Sequence, residues 1–301
     1  MNELFDKLIL RVIFTLFMIA LLYAYRYAHA ILYPSAKQKL LKRFYPSKNS
    51  SDTIHLMSRI LGIGIIFSEF YFFISDGIIY ALIDFFIESS LAFSMFLLSI
   101  FILDSIVLYN FEFEEEILKK KNFAYAIVSL THSLCAAYLI KLVLAVSNHS
   151  LIMFIFLWLF AIVLIGFSTK TFEYLSKLPF NRLLVQKNLG VSISYLGFLF
   201  GWTLIITSAL NNQLVDVSWY SVQTLIKVVL SLIIIPIFRK GLIIVFKLQE
   251  EVTPDLTSEG SDHQIQSVGY GVFEGFSFLS SCYLTTVITG NIHFGTFYPI
   301  F

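Results

Sequence analysis

Long apolar stretches alternate with short polar segments along the whole chain. Eight of these stretches have close to the roughly 20 residues that a helix needs to cross a bilayer. They cover residues 5–33, 56–75, 85–109, 122–146, 150–169, 188–210, 217–246 and 265–289. The pattern predicts an all-α polytopic membrane protein with about eight transmembrane helices, in a single membrane domain that covers 1–301.

The apolar stretches pair into one hairpin unit that recurs four times. In each unit a bulky apolar segment is followed by a polar start, often Lys or Asn, and then by a second apolar segment. These second segments begin near His55, Lys120, Val185 and Ile265. A recurring period indicates copies of one supersecondary unit. The predicted units cover approximately residues 1–84, 85–147, 148–214 and 215–301.

Small residues concentrate in the even-numbered segments. The glycines expected to mediate helix packing are Gly62, Gly64, Gly197, Gly201, Gly271 and Gly275. Four of them form two G-x-x-x-G pairs, which let helix backbones approach closely. We therefore expect the even-numbered helices to pack inside. The odd-numbered helices are expected to shield them, with side chains such as Leu157 facing the acyl chains.

Composition places the chain in a lipid bilayer and argues against several other kinds of partner. Of its 301 residues, 57% are hydrophobic and 14% are charged, whereas soluble domains carry about 25% charged residues. A net charge of +1 without a basic patch gives no reason to expect a nucleic acid partner. Cys135 and Cys282 lie in predicted helices without metal-binding spacing. We expect buried thiols, no metal and no cofactor.

Lys and Arg are distributed unequally between the two sides of the predicted helices. The loops after the first, third, fifth and seventh segments hold fifteen of them, and the opposite loops hold none. The positive-inside rule predicts that the four basic loops are cytoplasmic and that both termini are periplasmic. The acidic segment 248–264 is expected to be a solvated linker or, alternatively, a docking loop for a partner.

Two sequence segments carry a resemblance to a known family. EEEILKKKNFAYAI, around Asn122, and LLVQKNLGVSISYLG, around Asn188, resemble the YjfL-type inner-membrane family of bacteria, a domain of unknown function. The resemblance is best over 110–147 and 180–212 and is recognisable around 264–290. Arg59 or Ser58 stands at the position of the Asn in the first unit, and Ser267 stands there in the last. The resemblance implies a bacterial inner membrane and a link to membrane stress, and it supplies no catalytic residue.

Several ionisable residues fall inside the predicted helices. Arg59 and Asp104 are expected near the inner interface and Lys141 near the outer interface, and four others are candidates for a polar site. They are Glu69, His132, Lys227 and Glu274. At about 1.5 Å per residue, His132, Lys227 and Glu274 lie near the bilayer midplane and Glu69 lies nearer the outer side. Such groups are costly in a bilayer and usually turn toward the protein interior. We interpret them as a polar pathway or gate. Alternatively they are structural, with Lys227 paired to a carboxylate and His132 bonded to a hydroxyl.

The sequence favours a membrane-embedded conduit or sensor for ions or small solutes. The alternative is a non-conducting scaffold that recruits a cytoplasmic protein partner through its loops. The protein is not expected to be an enzyme, because the chain contains no recognisable catalytic motif. Besides the lipid bilayer, further copies of the same chain are expected as partners in a homo-oligomer.

Overall fold

The computed structural model describes residues 2–34, 46–70, 77–176, 178–211, 217–246 and 268–290. Within these residues all regular structure is helical, and eight long helices dominate. They are α1 (Asn2–Leu32), α2 (Ser50–Phe67), α3 (Ile78–Val107), α4 (Phe123–Ser147), α5 (Leu151–Ser176), α6 (Leu189–Leu210), α7 (Val217–Val245) and α8 (Val268–Gly290). Short helical turns at Pro46–Lys48, Glu114–Lys119 and Phe180–Val185 precede α2, α4 and α6.

Seven of the eight long helices have the length and apolar character of membrane spans, and α2 is the exception among the described helices. α2 is 18 residues long and more polar. It nevertheless covers nearly the same depth as α4. Ser51 at its start donates to the carbonyl of Lys121 just before α4, and Lys141 near the end of α4 donates to Ser68 just after α2. The predicted all-α polytopic membrane protein is confirmed.

Two helices begin six or seven residues earlier than predicted. α2 begins at Ser50 rather than at 56, and α3 begins at Ile78 rather than at 85. Polar residues obscured both starts in the sequence. Asp84 points outward from the first turns of α3, and Ser50–Thr53 form the first turn of α2. The acidic segment 248–264 and Ser267 lie outside the described residues.

An asparagine caps the start of three even-numbered helices. The side-chain oxygens of Asn49, Asn122 and Asn188 accept from the backbone N–H three residues on, at 3.2 Å in each case. Such caps satisfy N–H groups that have no partner inside the helix. Asn49 is therefore the counterpart of Asn122 and Asn188, and the prediction of Arg59 or Ser58 at that position is wrong.

The cap asparagines also tie neighbouring helices together. Asn49 donates from its amide to the carbonyl of Ile117, at 2.8 Å, in the turn before α4. Asn122 does the same to Leu184, at 2.9 Å, in the turn before α6. The buried amide nitrogen of Asn188 has no hydrogen-bond partner in the part of the chain that the structure describes. Each of the first two caps thus fixes the spacing of two helix starts.

The four even-numbered helices form a parallel row in the order α2, α4, α6, α8. Adjacent helices in this row make the most extensive contacts of the described elements. Their direction follows from matched pairs of residues: Gly190 of α6 meets Gly271 of α8, and Gly201 further along α6 meets Cys282. All four begin on the same side of the molecule, which we call the basic side because it carries Lys119, Lys170 and Arg182.

Close backbone contact between α6 and α8 explains three of the six predicted glycines. A Cβ atom at Gly197 would overlap the backbone of Gly275, and one at Gly271 would overlap the backbone of Gly190. At Gly275 it would lie 2.7 Å from the carbonyl oxygen of Ile193. At each of these positions glycine leaves a helix crossing without a side chain, which lets the two backbones approach closely.

The other three predicted glycines differ from one another. Gly201 faces Cys282, which a Cβ would approach to 2.8 Å. Gly62 leaves room for the Phe96 ring of α3 rather than for another backbone. A Cβ at Gly64 would meet nothing within 4 Å. Assigning Gly64 to helix packing is therefore wrong, because it lies on an open face of α2.

The odd-numbered helices surround the row, although not equally. In the most apolar 18-residue stretches, 17% of α1 and of α7 is buried, against 67% of α4 and 72% of α6. In both α5 and α8 the buried share of this stretch is 44%. α8 is less buried than α4 and α6 because it ends the row, and α5 is more buried than α1 and α7 because it packs against α3, α4 and α6. Leu157 on α5 is consequently 1% exposed, so the expectation that it faces lipid is wrong.

Candidate functional site

A buried ion pair joins α2 and α3. Arg59 on α2 is 1% exposed and donates from Nη2 to Oδ2 of Asp104 on α3 at 3.0 Å. The guanidinium also donates to the carbonyl of Ser129 on α4 at 3.0 Å, to its hydroxyl at 2.8 Å, and to the hydroxyl of Ser133. A buried charge is costly unless it is paired and hydrogen-bonded. These contacts supply both the counter-charge and most of the acceptors.

His132 on α4 extends this network from α3 to α6. Its Nδ1 lies 2.6 Å from Oδ1 of Asp104, and its Nε2 lies 3.0 Å from the hydroxyl of Tyr195. In the neutral ring Nδ1–H donates to Asp104 while Nε2 accepts from Tyr195, and in the charged ring both nitrogens donate. Both ring nitrogens of His132 therefore have hydrogen-bond partners, a carboxylate on α3 and a hydroxyl on α6. We call Arg59, Asp104, His132 and Tyr195 the Asp104 cluster.

Residues from α1 and α2 enclose the cluster on the basic side. Tyr33, directly after α1, donates to Oδ2 of Asp104 at 3.0 Å. His55 on α2 contacts the hydroxyl of Ser129 through Nδ1 at 2.8 Å, and its ring centroid lies 5.5 Å from that of His29. Nε2 of His55 is buried and has no hydrogen-bond partner among the described residues. The first four helices and α6 thus all contribute polar groups to one region.

Asp104 also lines a pocket on the basic side. The pocket has a volume of about 480 Å³ and lies between the ends of α1 and α3 and the segment that precedes α4. The side chain of Asp104 is 15% exposed, although its carboxylate bonds Arg59, Tyr33 and His132. A carboxylate offers about four acceptor positions. The three contacts leave one of them for a group in the pocket.

The rim of the pocket is acidic and lies outside the membrane helices. Glu112 and Glu114 are exposed there, and Lys119 lies 3.5 Å from Glu114. Lys119 also donates a hydrogen bond to Glu115, which lowers the pKa of Glu115 and raises that of Lys119. Both of these groups therefore stay charged near neutral pH.

A second, smaller pocket lies on the other side of His132. It has a volume of about 120 Å³ and is lined by Tyr195, Lys170, Glu173 and Asn181, among others. Because Tyr195 bonds His132, hydrogen bonds run continuously from the first pocket through Asp104, His132 and Tyr195 to the second. Both pockets lie at the basic-side ends of the helices and share Tyr109, so these hydrogen bonds connect two openings on one side of the molecule.

A second ion pair lies between α7 and α8. Glu274 is fully buried, and its two oxygens accept from Arg239 on α7 and from the hydroxyl of Ser194 on α6, each at 2.9 Å. Arg239 also donates to the carbonyl of Leu175, and its guanidinium carbon lies 4.6 Å from the centroid of the Phe278 ring. The pair holds α7, which is otherwise little buried, against α6 and α8.

The four predicted site residues occupy different places. His132 is in the Asp104 cluster, and Glu274 is in the second ion pair. Glu69 lies beyond the end of α2, where its 28% exposed side chain is 3.7 Å from Lys141. Lys227 is buried in α7. The expectation of a single polar pathway through all four residues stays a prediction.

Sequence reasoning missed four members of these groups: Arg59, Asp104, Tyr195 and Arg239. Arg59 and Asp104 were placed at the interface, and Arg239 in a basic loop. A signal for Arg59 was present, because Asn49 with Asp52 three residues later is a typical helix start. A helix that begins there places Arg59 about 15 Å along its axis, well inside the helix. Arg239 was counted with the basic loop after the seventh segment, although it falls within the predicted span 217–246, and it lies in α7, which continues to Val245.

One family profile matches the chain twice. The profile, described as Domain of Unknown Function (DUF350), matches residues 3–144 and 146–288. The chain belongs to this family. The DUF350 matches confirm the prediction of an internally repeated domain of unknown function. No curated protein and no solved structure matches the chain.

The DUF350 repeats divide the helices evenly. The first match covers α1–α3 and nearly all of α4, and the second covers α5–α7 and nearly all of α8. Each repeat contains one buried ion pair, with Arg59 and Asp104 in the first and Arg239 and Glu274 in the second. The four smaller hairpin units predicted from the sequence stay a prediction.

Proposed function

We propose that this DUF350 protein is a membrane-embedded conduit or sensor for a small ion or solute, and that the Asp104 cluster is its working centre. One observation carries the proposal. Asp104 lies in a membrane-spanning helix, lines a pocket on the basic side, and is bonded to charged or titratable groups on two other helices. Ionisable groups inside a membrane commonly mark ion pathways and proton relays.

The hydrogen bonds of the cluster support coupling between a ligand and the helix row. A ligand that reaches the remaining acceptor position of Asp104 changes the field at Arg59 and His132. Those residues lie on α2 and α4, and His132 contacts α6 through Tyr195. Binding in the pocket therefore acts on three adjacent helices of the row.

We further propose that the basic side faces the cytoplasm of a bacterial inner membrane, with both termini in the periplasm. The charge distribution of the loops and the positive-inside rule support this orientation. The proposal also includes a homo-oligomer, a cytoplasmic protein partner and a link to membrane stress. It includes no enzymatic step.

A flux assay on purified protein in liposomes tests the proposal. Proton and cation flux are measured with the native chain, with Asp104→Asn and with His132→Gln. Asp84→Asn is the matched control, because Asp84 is an exposed carboxylate on the same helix, α3, and lies outside the cluster. A conduit predicts that the two cluster variants lower the flux at least tenfold, while the control stays within twofold of the native chain.

A sensor predicts no flux but a ligand-dependent change in amide hydrogen exchange at α2 and α4, which Asp104→Asn abolishes. The proposal is wrong if the native chain shows neither flux nor such a change. That result would favour the alternative function, a non-conducting scaffold for a cytoplasmic protein partner.

A further inference from the structure

The pocket beside Asp104 combines aromatic walls with carboxylates. We propose that it binds a substituted ammonium group, carried either by a soluble organic cation or by the head group of an aminolipid. This inference rests on the proposed function, because it names the ligand class of the same pocket. It follows from the lining residues, the charge balance and the position of the pocket.

Six aromatic side chains line the pocket. They are Tyr33, Phe101, Tyr109, Phe111, Phe113 and Tyr125. The face of an aromatic ring attracts a cation, and such walls are typical of sites for quaternary ammonium groups. The Tyr33 and Phe113 rings pack against each other with centroids 4.5 Å apart, which gives one side of the pocket a fixed shape.

Tyr109 shows that the wall accepts an ammonium group. The Nζ atom of Lys170 lies over its ring, 5.8 Å from the centroid. This ammonium group comes from α5 and belongs to the lining of the second pocket, whereas Tyr109 lines both pockets. The protein therefore already uses this ring for a cation–π contact.

The charge balance of the pocket favours a cation. The charge of Asp104 at its floor is balanced by Arg59. At the rim, Glu112, Glu114 and Glu115 add negative charge that Lys119, 3.5 Å from Glu114 and bonded to Glu115, offsets only in part. An anion in the pocket would face these carboxylates. The described residues contain no group of three or more His, Cys, Asp or Glu placed to hold a metal ion. Ca²⁺ and Mg²⁺ need six or more oxygen ligands, so the aromatic walls fit an organic cation better.

The position of the pocket admits two sources of the ammonium group. Asp104 lies within one turn of the end of α3, and the pocket opens where α1 and α3 leave the bilayer. A soluble amine can enter from the aqueous side. A lipid head group can enter from the same side of the bilayer. The two sources share their chemistry but differ in how they respond to the lipid composition.

Calorimetric titration with choline tests the inference. The full chain is placed in nanodiscs of phosphatidylglycerol, which carries no amine. Choline is expected to bind, whereas its neutral isostere 3,3-dimethylbutan-1-ol is expected to bind at least tenfold more weakly, because only the charge differs. Adding phosphatidylethanolamine to the nanodiscs weakens the apparent choline affinity if the head group occupies the pocket and leaves it unchanged if the natural ligand is soluble.

Matched variants locate the binding site. Tyr109→Leu and Glu112→Gln are both expected to weaken choline binding about threefold to fivefold, the size of one exposed cation–π or charge contact. Tyr174→Leu and Glu115→Gln are the controls. Tyr174 is an exposed tyrosine on α5 and Glu115 an exposed carboxylate of the same segment, and neither lines the pocket.

The outcomes separate this inference from the proposed function. Equal binding of choline and its isostere, or equal loss in the control variants, overturns the inference. If choline fails to bind while flux still depends on Asp104, the inference is wrong and the proposed function stands. If choline binds in a Tyr109-dependent manner and neither flux nor hydrogen exchange responds to Asp104→Asn, the inference stands as a binding site and the proposed function fails.

Discussion

Each repeat contains an arginine–carboxylate pair, and the two pairs differ in their exposure to solvent. Arg59 is 1% exposed and contacts α3 and α4 as well as the segment after α1, whereas Arg239 is 21% exposed. Removing one partner of a buried pair leaves the other charge without compensation, and the cost grows with burial. The stability of the two pairs should therefore respond differently to the same substitution.

At the residue scale we expect Arg59→Met to destabilise the protein by about 3 kcal/mol, because it leaves Asp104 largely buried and unpaired. Adding Asp104→Leu should recover most of this loss, since no uncompensated charge remains. Arg239→Met is the comparison and should cost at least as much, because it leaves Glu274, which is fully buried, without its counter-charge. Thermal unfolding in detergent micelles measures all three. Additive losses in the double variant would contradict this account of the pair.

At the scale of helices, the packing of the even-numbered row depends on where glycine leaves a helix surface without a side chain. α6 and α8 touch through their backbones at Gly197 and Gly275, and Gly190 and Gly271 form a second such contact. Without a hydrophobic force between helices in lipid, close packing of this kind holds them together. α2 uses Gly62 in another way, as a recess for the Phe96 ring of α3.

Two alanine substitutions at glycines should change stability in opposite directions. Gly197→Ala should lower the melting temperature by several degrees, because its Cβ atom overlaps the backbone of Gly275 and separates α6 from α8. Gly64→Ala should raise the melting temperature slightly, because the new methyl group meets open space and alanine has the higher helix propensity. The expected gain in the free energy of unfolding is about 0.5–1 kcal/mol. Melting curves in one detergent compare them. A loss at both positions would show that helix propensity and crossing geometry do not explain the glycines.

At the scale of the whole molecule, the parallel even-numbered helices define two sides. α2, α4, α6 and α8 all begin on the basic side, and the odd-numbered helices return in between. The Asp104 pocket opens on the basic side, while Glu69, Glu88 and His149 lie on the opposite side. The orientation of the protein therefore decides which compartment the Asp104 pocket faces.

Cysteine labelling of intact cells tests this orientation. The native Cys135 and Cys282 are fully buried and give no background. A membrane-impermeant maleimide added from outside should label His149→Cys, and it should label Lys119→Cys only after the membrane is opened. Both positions are more than half exposed, so access to the side chain is comparable. Labelling of position 119 but not of 149 in intact cells would reverse the proposed orientation.

Some features of the site could have been predicted from the sequence and others could not. Asn49 followed by Asp52 marks the start of α2, and from it the depth of Arg59 follows by counting residues. Arg239 was misplaced because a basic residue near the end of an apolar stretch looks the same in a loop and in a helix. Tyr195 carried no signal, since an aromatic residue in a membrane helix is ordinary packing material until its hydroxyl meets a polar group.

The sequence alone determined the membrane environment, the helical class, the approximate number of helices and the internal repetition, because these depend on local apolar length and recurring spacing. It also indicated that α6 and α8 pack closely, since glycines four residues apart share one helix face. Only the tertiary structure decided that Arg59, Asp104, His132 and Tyr195 form one cluster, and that Gly64 and Leu157 have roles other than those expected. Those outcomes depend on which faces of separate helices meet, and the spacing of residues along one helix does not specify its neighbour.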